Sequence, residues 1–282
     1  MGSFFYPSCH PIGRRSFLTG ALGAAGSVAL GAATALGGAT DDSKRIILAY
    51  ARRHDDPWAI VHAVRALGRE LTVDNGQPAV AWVLSEYLRE QAVNGGPRHL
   101  AFPRRVEVHE NSFLKTFLEA GVPPRFGFSH RGQTRTLGDV IDGARALLRF
   151  PDAARRHETA WSLIALTRTT PPDRGTWTNA WGERIELARF VEAGFEALEE
   201  ASRPVQEASD RGARLERLAP VHGFTCGGTH LLYGLLVATQ SGYTGSNHRQ
   251  RVRRQMDLIV YRLWADLDLM NRFYQPKIAT NA

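Results

Sequence analysis

Hydrophobic residues recur at three- and four-residue steps through most of the chain, which is the spacing of one face of an α-helix. The clearest run lies at 249–274, where Arg253, Asp257 and Asp268 face away from the apolar side. The apolar positions of that run are Val252, Met256, Ile259, Val260, Leu263, Leu267 and Met270. The pattern predicts helices at about 42–53, 57–71, 79–91, 110–120, 136–149, 157–168, 183–201, 203–217, 226–240 and 249–274.

Signals for helix ends agree with these bounds. Thr136 stands three residues before Asp139, the spacing of a capping box at a helix start. Residues rich in Gly and Pro interrupt the pattern at 94–97, 121–124 and 171–173. Alternation with a period of two occurs only at 105–109, which predicts one short strand. Since no shift in composition marks a boundary, we expect one all-α domain of about ten helices at 42–275 and a disordered tail at 276–282.

Three predicted helices share an aromatic and apolar pattern: Trp58–Leu67, Trp161–Leu166 and Thr229–Leu236. These segments resemble the inner helices of α/α toroids of the squalene-cyclase and polysaccharide-lyase type. The resemblance implies that helix pairs stack around an axis into an incomplete toroid. It also implies an enzyme acting on carbohydrate, either a lyase or a hydrolase.

The first 40 residues have a different character. Arg14 and Arg15 are followed by Ser-Phe-Leu-Thr, and no charged residue occurs from Ser16 to Thr40. This arrangement resembles a twin-arginine (Tat) signal peptide at 1–39, with Arg14 and Arg15 as the recognition pair. Ala33-Thr34-Ala35 offers small residues for cleavage near 35–39.

The resemblance implies that the Tat export machinery is a partner and that the chain folds before it crosses the membrane. The expected location is periplasmic or extracellular. The Gly- and Ala-rich stretch is too short and too weakly apolar to predict a stable membrane span, which needs about 20 strongly apolar residues. An uncleaved leader that anchors the protein is the alternative.

Composition excludes several classes of protein. In 282 residues there are only two cysteines, Cys9 and Cys226, too few for a disulfide scaffold or an all-cysteine metal site. The formal net charge is +7, but the basic residues are scattered along the chain. No stripe with interleaved aromatic residues and no nucleic-acid-binding motif accompanies them, so we expect no nucleic-acid partner.

The sharpest local feature is the segment 221–230, which places His222, Cys226 and His230 at four-residue steps. On a continuous helix these residues would share one face and could hold zinc or copper, with one coordination position left open. Glycines within the segment equally favour a turn, in which Cys226 at a helix start would be a nucleophile. A purely structural role for all three residues is the remaining interpretation.

Other histidines suggest a different site. His109 and His157 each precede a glutamate at the start of a predicted helix, and in a ring of helices these starts could meet the 221–230 segment. In the carbohydrate-active interpretation, His157 or His230 is the catalytic base and Tyr243 the acid. Loop arginines would then neutralise an acidic sugar; they are Arg131, Arg135 and Arg174.

Three functions therefore remain open. The first is an exported helical protein with a metal or prosthetic group at His222, Cys226 and His230. The second is a toroidal carbohydrate-active enzyme, and the third is a non-catalytic envelope or interaction protein. The residue pattern does not identify a substrate.

Overall fold

The computed structural model describes residues 36–51, 55–245 and 247–280. Arg14, Arg15 and the Ala33-Thr34-Ala35 motif lie outside these residues, whereas the rest of the range predicted for cleavage, 36–39, belongs to the first described helix. The chain divides into two compact units, 1–50 and 51–282. Helix α1, Leu36–Ala51, accounts for the described part of the first unit, and Arg45 pairs there with Asp42 at 2.6 Å.

The second unit is mostly α-helical, which confirms the predicted helical character. Its helices, where the chain is described, are α2 (Pro57–Leu67), α3 (Ala79–Tyr87), α4 (Ser112–Glu119), α5 (Leu137–Ala146), α6 (Ala160–Thr169), α7 (Leu187–Asp210), α8 (Thr229–Gln240) and α9 (His248–Thr280). Short 3-10 turns lie at Ala153–Thr159, Pro172–Arg174, Pro220–Gly223 and Thr225–Gly228. The capping box predicted at Thr136 and Asp139 is present at the start of α5.

The fold also contains short strands that were not predicted: within the described residues, three antiparallel hairpins connect the helices. They are formed by β1 (Arg89–Ala92) with β2 (Arg98–Ala101), β3 (Gly127–His130) with β4 (Gln133–Thr136), and β5 (Thr176–Thr178) with β6 (Arg184–Glu186). Their registers pair Arg89 with Ala101, Gly127 with Thr136, and Thr176 with Glu186. The strand predicted at 105–109 is absent, since these residues form turns.

Helix α6 lies at the centre of the core. Every residue from Ala160 to Thr167 is buried, and the helix packs against α4 and extensively against α8. Gly234 permits the second contact, because a Cβ there would meet the main chain of Ala160 at 2.9 Å. The segments Trp161–Leu166 and Thr229–Leu236 therefore lie side by side.

Most helix boundaries differ from prediction by a few residues, and two differences are larger. The separate helices expected at 183–201 and 203–217 form one helix, α7, which contains Pro204. Residues 276–280, which we expected in a tail, continue α9. Among the described residues, no helix is both long enough and apolar enough to cross a bilayer.

Candidate functional site

The loop 102–111 between β2 and α4 is organised by a buried carboxylate. Glu107 is 5% exposed. Its Oε1 accepts hydrogen bonds from the Phe113 amide (2.6 Å) and the Ser112 hydroxyl (3.3 Å), and its Oε2 accepts one from the Asn111 amide (3.2 Å). The carboxylate thus satisfies amides at the start of α4 that have no partner within the helix. Burial raises the pKa of Glu107 to about 8, although these hydrogen bonds oppose the rise.

Asn111 ties the same loop to α6. Its φ of 64° is in the left-handed region, which asparagine tolerates better than most residues. Its side-chain amide donates to the Ser162 hydroxyl at 2.8 Å, and that hydroxyl donates to the Glu110 carbonyl at 3.4 Å. These bonds hold the loop against the first turn of α6.

An aromatic stack lies next to this loop. The ring of His109 is parallel to the indole of the buried Trp161, with centroids 3.8 Å apart, and His230 contacts the same indole at 5.2 Å. Trp58 of α2 meets His109 edge-on at 6.4 Å. Burial lowers the pKa of both His109 and His230, so folding favours the neutral imidazoles.

The expected meeting of histidines at helix starts is therefore found in part. His109 and His230 share Trp161, while His157 stacks on Phe224 at 4.4 Å. Phe224 lies within the 221–230 segment, so His157 does contact that segment, but through an aromatic ring.

Two adjoining cavities open beside the loop and share Arg104 and Glu110 in their walls. The first is about 200 Å³ and is lined by residues that include Glu107, Asn111 and Trp181. The second is about 280 Å³ and is lined by residues that include His109, Arg149, Arg155, Glu158 and Ser162. We call the two together the loop cleft. It offers a mixture of cationic donors, carboxylate acceptors and aromatic rings.

Two arginines that line the loop cleft are paired with glutamates. Arg155 donates to Glu158 at 2.6 Å, and Arg149 forms a two-point pair with Glu183 at 2.6 and 3.1 Å. The hydrogen bond from Arg155 holds the pKa of Glu158 below its ordinary value. Arg104 donates to the Val108 carbonyl at 3.1 Å.

A buried cation, Lys115, lies close enough to His230 to act on its charge. Lys115 is 2% exposed, and its Nζ is 2.6 Å from Glu119 Oε2. The Tyr233 hydroxyl donates to Glu119 Oε1 at 2.6 Å, and Arg65 lies 3.6 Å from Oε2. Burial lowers the pKa of Lys115, and the charge of Lys115 contributes to lowering the pKa of His230.

The predicted metal ligands occupy two short turns and the beginning of α8. The His222 Nδ1 accepts from the Ala219 amide at 2.9 Å, and its Nε2 donates to Asp266 at 2.9 Å. Ligation by this ring would require it to give up one of those partners. Cys226 is exposed with a φ of 49°, so the segment is not a continuous helix. In the described part of the chain, no three His, Cys, Asp or Glu side chains are grouped to hold a metal ion.

Tyr243, the predicted acid, is buried and lines a different cavity of about 350 Å³. Its hydroxyl donates to the Thr170 carbonyl at 2.7 Å, and burial raises its pKa to about 12. The hydroxyl proton is therefore held by the main chain. Neither His157 nor His230 lines that cavity.

Sequence reasoning missed the two most deeply buried ionisable groups of the region, Glu107 and Lys115. Lys115 had a local signal, because it is the one charged residue within the apolar run Phe113–Leu118. Glu107 had none, because it stands in a polar stretch and its burial depends on distant elements.

The site combines a buried carboxyl of raised pKa, an imidazole of lowered pKa and a cleft with ionic and aromatic walls. Comparison with known protein families, with curated proteins and with solved structures finds no match for this chain.

Proposed function

We propose that this protein is an exported acid–base enzyme that acts on a small polyhydroxylated substrate in the loop cleft. The observation that carries the proposal is the opposite displacement of two pKa values around one loop. Burial raises the pKa of Glu107 to about 8 and lowers that of His109. At pH 7 the first group retains a proton that it can donate, and the second has a free nitrogen that can accept one.

The walls of the cleft support a polyhydroxylated substrate. Arg104, Arg155 and Asn111 supply donors, and Glu110 and Glu158 supply acceptors. The indole of Trp181 adds an apolar face of the kind on which sugar rings pack. The close packing of α6 and α8 supports the related proposal that helix pairs form an incomplete toroid.

The test is turnover of a panel of neutral and uronate-containing oligosaccharides by the wild-type chain and three variants. We expect His109→Ala and Glu107→Gln each to lower kcat by about 10²–10⁴-fold, the usual contribution of a positioned acid or base. His62→Ala is the matched control, because His62 is an exposed histidine that stacks on Trp58 and does not line the cleft. Equal rates in all four proteins, or no turnover of any substrate, would contradict the proposal.

Export is the second part of the proposal and is supported by the resemblance of residues 1–39 to a Tat leader. Replacing Arg14 and Arg15 together with lysine should leave unprocessed precursor inside the cell. Immunoblotting of cell fractions measures where the variant accumulates. If the variant is exported normally, residues 1–39 are not a Tat leader.

A further inference from the structure

The C-terminal helix α9 presents a row of large apolar side chains to solvent. Met256, Val260, Leu263, Leu267 and Met270 follow one another at alternating steps of four and three residues. They are 50–66% exposed, and the adjacent Trp264 is 74% exposed. We call these six residues the α9 stripe.

The opposite side of the same helix is attached to its own domain. Gln255 and Leu258 are buried, the Tyr261 hydroxyl donates to the Ala213 carbonyl at 2.6 Å, and Arg262 donates to the Gly227 carbonyl at 2.6 Å. Asp266 receives the hydrogen bond from His222. The orientation of α9 is therefore fixed by these contacts, and the stripe faces away from the domain.

The spacing of the stripe is that of a helix which packs along another helix. Alternating steps of four and three average 3.5 residues, the repeat of the a and d positions in a coiled coil. Leu263 and Leu267 lie at its centre, and the row extends for about 20 Å at a rise of about 1.5 Å per residue. Such a row is complementary to a copy of itself, as a two-fold symmetric interface requires.

The area of the stripe fits the same kind of partner. Six large side chains at these exposed fractions offer on the order of 700 Å² of surface, close to the roughly 800 Å² per partner of a standard protein interface. Monomeric proteins rarely leave a contiguous apolar patch of that size uncovered.

The charges beside the stripe favour protein over lipid. The exposed carboxylate of Asp257 follows Met256 directly, and Asp268 adjoins Leu267. A helix that lies on an anionic membrane usually places lysine and arginine at these flanking positions. Of the four arginines in the first turns of α9, two are engaged with acids of α7: Arg251 with Glu199 at 2.7 Å and Arg254 with Asp210.

We propose that the α9 stripe is a self-association surface through which two copies of this chain pack helix against helix. This interface lies on α9, whereas the loop cleft lies between the 102–111 loop and α6. The proposed association therefore does not depend on the proposed enzymatic activity, and each can be tested without the other.

The test is the molar mass of the full chain in solution, measured by light scattering on a sizing column from about 1 to 100 µM. The wild-type chain should have twice the monomer mass. The double variant Leu263→Glu/Leu267→Glu should have the monomer mass and an unchanged helical circular dichroism spectrum. The milder double variant Leu263→Ala/Leu267→Ala should weaken association at least tenfold. It provides the test if the glutamate substitutions disturb folding.

Leu218→Glu is the matched control, because Leu218 is 65% exposed and Leu263 is 66% exposed, but Leu218 lies outside α9. This variant should remain dimeric. A wild-type chain that is monomeric at 100 µM would overturn the proposal, as would stripe variants that stay dimeric. Stripe-dependent sedimentation of a monomeric chain with anionic vesicles would assign the surface to lipid and overturn it as well.

Discussion

The imidazole of His109 lies flat on the indole of Trp161, with the ring planes 5° from parallel and the centroids 3.8 Å apart. The contact joins the 102–111 loop to the central helix of the core. It also places a titratable ring where burial favours its neutral form.

A first prediction concerns protonation of His109. Because its pKa in the folded protein lies below the ordinary value of 6.5, the contribution of the neutral ring to stability is present above about pH 6.5 and is lost as pH falls through the folded pKa. His109→Phe keeps a stacked ring without a proton site. We expect this variant to lose less stability than wild type between pH 7 and pH 5, as measured by urea unfolding. An identical loss in both proteins would contradict the expectation.

Glu107 should produce the opposite dependence on pH. An unfolded glutamate releases its proton near pH 4.5, whereas the folded group keeps it to about pH 8. The folded state therefore binds more protons between these values, and stability should fall as pH rises from 4.5 to 8, by on the order of 4 kcal/mol. Glu107→Gln should flatten this part of the profile. A Glu107→Gln variant with the same profile as wild type would show that Glu107 does not hold a proton over this window.

Lys115 and Glu119 should be strongly coupled. Lys115→Met leaves the buried Glu119 carboxylate with a weaker set of partners and should cost about 3–5 kcal/mol. Lys115→Met combined with Glu119→Gln removes both charges and keeps an acceptor for Tyr233. The double variant should recover much of the loss, and a double-mutant cycle of denaturant unfolding gives the coupling energy. If the losses of unfolding free energy in the two single variants add up to the loss in the double variant, Lys115 and Glu119 are not coupled.

Gly143 should be intolerant of any side chain. It lies in α5 where the helix crosses β2, and a Cβ there would overlap the carbonyl oxygen of Leu100. Gly143→Ala should therefore destabilise the fold by about 1–3 kcal/mol, the usual range for overpacked cores. Gly223→Ala is the control, since a Cβ at Gly223 has no neighbour within 4 Å. Equal melting temperatures for the two variants would show that α5 shifts freely.

Substitution of Cys226 distinguishes the hypothesis of a metal site at His222, Cys226 and His230 from a purely structural role for these residues. Because the residue is exposed, Cys226→Ser should change the unfolding free energy by less than about 0.5 kcal/mol. If Cys226 ligates zinc or copper, the same substitution should lower both the melting temperature and the metal content. Elemental analysis of both proteins separates these outcomes.

The helical fold could be predicted because its signals are local. The capping residues Thr136 and Asp139 and the apolar period of 249–274 each lie within a few turns of chain. The hairpins were missed because strands such as β1, Arg89–Ala92, are four residues long and lack alternation. The 24-residue α7 was divided in prediction around Pro204, although a row of buried residues on both sides of the proline holds that helix together.

The site was predicted only in part because burial depends on contacts far apart in sequence. His109 could be proposed from its position at a helix start and His230 from its spacing within 221–230, but the indole that joins them comes from α6. The ring partners of His222, Ala219 and Asp266, include one residue 44 positions away. No spacing rule within 222–230 could have anticipated that bond.

Chemical labelling of Lys115 can measure how often the core opens. The chain has three lysines, at 44, 115 and 277, and only Lys115 lies near the middle of the sequence. An amine-reactive reagent should modify the exposed Lys44 of the folded protein at once, but should reach Lys115 only when α4 leaves its place. The rate at which label appears on Lys115, followed by peptide mass spectrometry, therefore reports the frequency of excursions in which the interior is transiently hydrated.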